Sequence, residues 1–199
     1  MLFRSLDEAG QQIRLAFKLN FYVDLIPYFW IPKDTLLERV KNERIPYDAW
    51  ERDQKIFATP GPAIDHQAIY DFVVKDAWKR FKLQRLGMDE NQGRYLFLRL
   101  QNEGRLGKQI VSVGQGKKLS EAFKFMEILI AHRRLRHDGH PVLSMCLANA
   151  EPHRDRLGAL WIEKPEEKKR IDGVIAAAMA IDQLMKLPAR RAGVQVFAV

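Results

Sequence analysis

Leu83-Gln84-Arg85-Leu86-Gly87-Met88-Asp89 is the stretch on which the fold turns. It is short and apolar, and it stops at Gly87-Met88-Asp89, as a strand does when it ends at an acidic residue. The period then changes. Tyr95, Leu96, Leu98 and Leu100 fall at helical spacing over residues 93–102, and Gly104 closes that helix. Residues 108–113 return to strand character and end at Gly114-Gln115-Gly116. Residues 119–132 then place Phe123, Met126, Leu129 and Ile130 on one helical face. Strand, helix, strand, helix in that order predicts parallel crossovers, and hence an α/β sheet flanked by helices.

Upstream, Ile13, Leu15, Phe17, Leu19, Phe21, Val23 and Leu25 lie in one phase, with Arg14, Lys18, Asn20 and Asp24 in the other. A period of two predicts a strand with one buried face. Ordinary strands run about 5–6 residues, so either a turn near Asn20 makes a hairpin or one long strand continues to Trp30. The expected sheet is therefore mixed, with antiparallel N-terminal strands ahead of the parallel crossovers. Between these regions, Pro27 and Pro32 precede a short helix over residues 33–42. A loop-rich connection over residues 45–62 contains a brief strand at 55–58 and the breaker Thr59-Pro60-Gly61-Pro62. Residues 65–81 read as a helix capped by Asp65. Downstream come a helix over 141–149, a polar loop through 169 and an apolar helix over 171–185. With no internal repeat, residues 1–199 read as one domain.

Composition bounds the partners. The chain is 47% hydrophobic and 29% charged, and it lacks any apolar run near the ~18 residues of a membrane span. Asp7 and Glu8 interrupt the N-terminus before a signal peptide develops. A soluble protein retained in the cytoplasm is expected. Cys146 stands alone, so neither an internal disulfide nor a cysteine zinc cluster forms, and a buried reduced thiol is expected. A net charge of +8 and a pI near 9.6 suit a polyanionic partner or simply a solvated basic surface.

Two carboxylates stand out. Asp89 lies where a parallel strand ends, the edge at which open α/β sheets bind ligands, and it reads equally as the cap of the following helix. Asp172 opens the apolar helix, where an acid also suits the helix dipole. Lys168-Lys169-Arg170 just ahead of it oppose that dipole, and local rules broken in this way mark sites. Cations and free helix N–H groups together attract phosphate. Gly173 and the alanines 176, 177, 178 and 180 are small enough for this helix to approach a sheet closely. The histidines at 66, 132, 137, 140 and 153 lack zinc-protease spacing and read as loop or surface residues. No Walker, nucleophile-elbow or dinucleotide motif is present.

The strings Tyr28-Phe29-Trp30-Ile31-Pro32, Ile45-Pro46-Tyr47-Asp48-Ala49-Trp50 and Thr59-Pro60-Gly61 resemble, in order and spacing, the start of the nuclease region of phage terminase large subunits. Gly87-Met88-Asp89, Gly114-Gln115-Gly116 with Leu119-Ser120, Gly139-His140-Pro141-Val142-Leu143, Asn149 and Arg170-Ile171-Asp172-Gly173 continue the likeness. The resemblance implies an RNase H-like domain that cuts double-stranded concatemeric DNA during genome packaging, with carboxylates holding two divalent cations. Asp89 and Asp172 would then be catalytic metal ligands for Mg2+ or Mn2+. Lys168, Lys169 and Arg170 would be DNA contacts, with Lys117 and Lys118 as further ones. Family members carry a first catalytic aspartate on an initial strand ahead of the Phe-Trp-x-Pro segment. That strand has no clear counterpart here, which leaves Asp7, or Asp24, as the third carboxylate.

The ATPase motor that precedes the nuclease in the family also has no counterpart in this sequence. The expected partners are double-stranded DNA, a terminase ATPase domain, a small terminase subunit and a portal, with no membrane, in the bacterial host cytoplasm. Two alternatives stand beside a working nuclease. One is a non-catalytic DNA-binding or assembly remnant of a prophage terminase; the other is a different RNase H-like enzyme such as a transposase or resolvase.

Overall fold

A computed structural model describes residues 22–81, 83–103 and 106–187, and the backbone of 195–198. Among the described residues its main sheet has three strands, all parallel. In chain order these are β4 (Leu83–Met88), β5 (Ile110–Ser112) and β9 (Gln195–Ala198), and in space β4 lies between the other two. Helix α4 (Glu90–Glu103) links β4 to β5, and helix α7 (Asp172–Met185) precedes β9. The strand–helix–strand order read from residues 83–113 is therefore the central unit, with α4 starting directly after Asp89.

Pleating sorts the two faces of β4. Leu86 and Met88 are buried with Leu96, Phe97 and Leu100 of α4, with Ile110, and with Ile69 and Val73 of α3 (His66–Asp71) and its continuation. Gly87 turns the other way, toward α7. There the largest core assembles from Phe123, Met126 and Leu129 of α5 (Ser120–Ala131), Val174, Ala178 and Ile181 of α7, and Cys146 of α6 (Pro141–Ala148). Burying such side chains is worth about 1.5–3 kcal/mol each, and this is what presses helices onto both faces. Cys146 is 1% exposed, the buried thiol expected of a lone cysteine.

The described N-terminal strands pair in parallel, and the antiparallel hairpin expected about Asn20 lies outside the described residues. β1 (Val23–Asp24) pairs in parallel with β6 (Leu135–Arg136), and β2 (Trp30–Pro32) pairs in parallel with β3 (Phe57–Thr59). Strand structure stops at Asp24 and resumes only at Trp30, so no single strand runs through; Asn20 and the rest of the alternating run lie outside the described residues. Alternation reveals a buried face but not which distant segment supplies the partner. Among the described residues an antiparallel pair occurs at β7 (Glu151–Arg154) and β8 (Leu160–Glu163), which form a hairpin inside the segment expected to be a polar loop.

Other elements adjust the reading locally. Helix α1 (Lys33–Glu43) is followed by α2 (Tyr47–Arg52), a helix within the stretch expected to be loop-rich. Helix α3 begins at the expected cap, where Asp65 accepts the Gln67 N–H, and runs through a π-helical stretch (Phe72–Ala77) into a last turn (Trp78–Arg80). Among the histidines, His66, His132 and His137 are exposed as expected, but His140 is 5% exposed. Its ring lies 5.3 Å from that of Phe29, at the position that precedes Pro141 and α6. None of the described helices is long and apolar enough to cross a membrane.

Candidate functional site

Asp89 closes β4. A Cβ on Gly87 would stand 2.9 Å from Val113 Cγ2, 3.1 Å from Gln183 Cγ and 3.7 Å from the Met179 carbonyl oxygen. Glycine therefore sets how closely α7 lies on the strand. Strand alternation carries Asp89 to the same side as Gly87. Met179 and Gln183 follow Asp172 by about two and three helical turns, so Asp172 heads the stripe of α7 that rests on β4. Because α7 leads into β9, which is parallel to β4, the helix runs back along the sheet. Its first turn thus lies at the carboxyl end of the strands, the edge that Asp89 closes.

Asp89 is held at both oxygens. Its Oδ1 accepts the Asn91 backbone N–H at 3.0 Å, in the manner of a helix cap, and its Oδ2 accepts Gln115 Nε2 at 2.7 Å. The capping role and a ligand role are compatible, since each carboxylate oxygen carries two lone pairs and only one is used here. Asp172 is exposed in the first turn of α7. Behind it, burial pushes the Cys146 thiol upward, and the Asp172 charge adds to that push. Gly173 is pressed against Phe29 and Leu143, so the turn bearing Asp172 is anchored from below.

The basic candidates divide. Lys168 and Lys169 are exposed, and among the described residues neither forms an ion pair. Arg170 is half-buried: its carbonyl accepts Asn149 Nδ2 at 3.1 Å, and its Nε is buried without a partner among the described residues. Lys117 is engaged, with Nζ 2.8 Å from Asp155 Oδ2 and 4.4 Å from the centre of the Trp161 ring. Lys118 is exposed, and its aliphatic stem covers Gly114, where a Cβ would collide with it.

Third carboxylates are scarcer. Asp7 lies outside the described residues. Asp24 gives both oxygens to Arg136, at 2.7 Å to Nε and 2.9 Å to Nη2, and this hydrogen bonding holds its carboxyl below the usual range. Among the described residues no three His, Cys, Asp or Glu side chains cluster as a metal site. Asp89 and Asp172 are hard oxygen donors, which suit Mg2+ or Mn2+ in type, and they are fewer than a closed site needs. Sequence reading missed Gln115 as a hydrogen-bond partner of Asp89. Its only local signal was its place between two glycines at a strand end.

Comparison with known proteins agrees with this architecture. Residues 6–186 match the family described as terminase large subunit, endonuclease domain. The chain is 35% identical over 165 residues to the terminase large subunit of Enterobacteria phage HK97, an overlap of 79% of this chain and 31% of that protein. It is 26% identical over 172 residues to Protein YmfN of Escherichia coli (strain K12), an overlap of 82% and 37% respectively. The crystal structure of the HK97 bacteriophage large terminase superposes with a TM-score of 0.70 at 30% identity, covering 80% of this chain and 33% of that one. The chain thus spans about a third of the length of the relatives it matches.

Proposed function

The chain belongs to the terminase large subunit endonuclease-domain family, and from that premise we propose that it is an RNase H-like nuclease domain cutting double-stranded concatemeric DNA during phage genome packaging. The observation that supports this reading is the packing of α7 on β4 at Gly87, against Met179 and Gln183, with Asp89 following the end of that strand and Asp172 in the first turn of that helix. In this reading residues 1–199 act as one domain in the bacterial host cytoplasm. A terminase ATPase domain, a small terminase subunit and a portal are its partners. Family membership displaces the transposase or resolvase alternative.

Asp89 and Asp172 hold Mg2+ or Mn2+, with Asp7 as a third ligand. Bound there, divalent cations supply an activated water and neutralise charge growing on the scissile phosphate. The protein's own part is orientation. The Asn91 N–H and Gln115 amide keep the Asp89 carboxylate facing the edge, and Gly87 and Gly173 set the height at which Asp172 meets it. Lys168 and Lys169, with Arg170 behind them, attract the DNA backbone to the same helix start.

Plasmid nicking in Mn2+ tests the proposal. Asp89→Asn and Asp172→Asn should each abolish cutting while leaving the melting temperature within a few degrees of wild type. Cutting that survives both changes would sink it. A second reading is a DNA-binding piece without catalysis, and the exposed pair Lys168 and Lys169, without an ion pair among the described residues, supports the binding it requires. Salt-sensitive DNA binding by a chain that never nicks in Mn2+ would select it.

A further inference from the structure

We infer that Gln115 is a positioning residue for the Asp89 carboxylate, and that it fixes the orientation in which the carboxylate's remaining lone pairs meet a divalent cation; this rests on the nuclease reading above. The β4–β5 register pairs Met88 with Ser112, and one step further the Val113 N–H donates to the Met88 carbonyl at 2.8 Å. The chain therefore leaves β5 directly beside the end of β4. Gln115 has an extended backbone (φ −94, ψ −174), and Gly116 after it adopts φ +66, in the left-handed region that favours glycine. The Lys118 stem occupies the space beside Gly114. From this position Gln115 sends its amide across to Asp89 Oδ2 at 2.7 Å.

The chemistry of the pair is directional. A carboxylate without protons only accepts, so the NH2 end of the amide must face it, and the carbonyl end would be repelled. Asn91 holds Oδ1 alone, which leaves the carboxyl group free to swing about its last torsion; the second hydrogen bond removes that freedom. Gln115 is itself exposed, so its side chain adds little to folding stability. The hydrogen bond acts on the carboxylate's orientation. Partners that orient metal ligands typically change metal affinity by about 10–100-fold when lost.

Calorimetric titration of Mn2+ into the wild-type chain, Gln115→Met and Asp89→Asn, paired with thermal melts in EDTA, tests this. Methionine keeps the length and removes the donor. The expected result is Mn2+ binding weakened about tenfold in Gln115→Met at an unchanged melting temperature, and binding lost in Asp89→Asn. Nicking by Gln115→Met should recover toward wild-type rates at high Mn2+. Unchanged Mn2+ affinity in Gln115→Met, with Asp89→Asn defective, overturns the positioning role alone. A melting temperature that falls along with affinity also overturns it, by assigning the residue to loop stability. No Mn2+ binding by the wild type, or wild-type binding by Asp89→Asn, overturns the metal-holding reading and this inference with it.

Discussion

Gly173 lies against the edge of the Phe29 ring: a Cβ at this position would stand 2.8 Å from Phe29 Cζ and 3.1 Å from Cε1, with Leu143 Cδ1 at 3.3 Å. The contact joins the segment before β2 to the first turn of α7, one residue after Asp172. Helix α7 therefore carries a residue of poor helix propensity at its second position because the turn has no room for a better one.

Two effects oppose each other in Gly173→Ala. Helix propensity favours alanine by about 1 kcal/mol, while forcing a methyl group into packed surroundings costs about 1–3 kcal/mol. The Phe29 ring is backed by His140, so it cannot yield freely. A net loss of stability is expected, with a larger proportional loss of nicking because Asp172 moves with the turn. Phe29→Leu should relieve part of the effect, and a double-mutant cycle of melting temperatures checks it.

Ser120 opens α5 and is 7% exposed, and its Oγ accepts the backbone N–H of Leu160 at 2.9 Å. Leu160 is 1% exposed at the start of β8, so water cannot replace the hydroxyl. Ser120→Ala should cost about 1–3 kcal/mol, the penalty of stranding a buried donor. Denaturant unfolding measures the loss, and faster hydrogen exchange at the Leu160 amide should accompany it.

His140 gives the fold a pH dependence. Burial holds its imidazole below the ordinary range; Asp138 and a hydrogen bond to the Lys55 backbone pull it upward, and the charges of Lys55 and His137 push it down. The unfolded chain, with a histidine pKa of about 6.5, binds the proton more readily than the folded one. The stabilisation from keeping this ring neutral is thus complete above about 6.5 and is lost as the pH falls through that value toward the lower folded pKa. Urea unfolding between about pH 7.5 and about pH 5.5 should show declining stability, and His140→Asn should flatten the decline.

Lys168 and Lys169 should dominate salt-dependent DNA binding. Each phosphate contact contributes about 0.9 to the slope of log affinity against log salt, so removing both lysines should lower the slope by nearly 2. Lys117, already committed to Asp155 and Trp161, should change it by much less when replaced by alanine. Fluorescence anisotropy of labelled duplex at several salt concentrations checks the contrast. Equal effects from both sites would remove the distinction.

The sequence by itself determined the order β4, α4, β5, α5 and the placement of Asp89 and Asp172 at element ends. Those features rest on local periodicity, caps and breakers. It left the β7–β8 hairpin unread, because Glu151-Pro152-His153-Arg154 is polar on both faces and carries no alternating signal. The parallel pairing of β1 with β6, the burial of His140 and the reach of Gln115 to Asp89 were decided only by the tertiary structure. Each joins residues whose neighbours along the chain say nothing of the contact, since hydrogen-bond register and helix stacking depend on which distant faces are buried together.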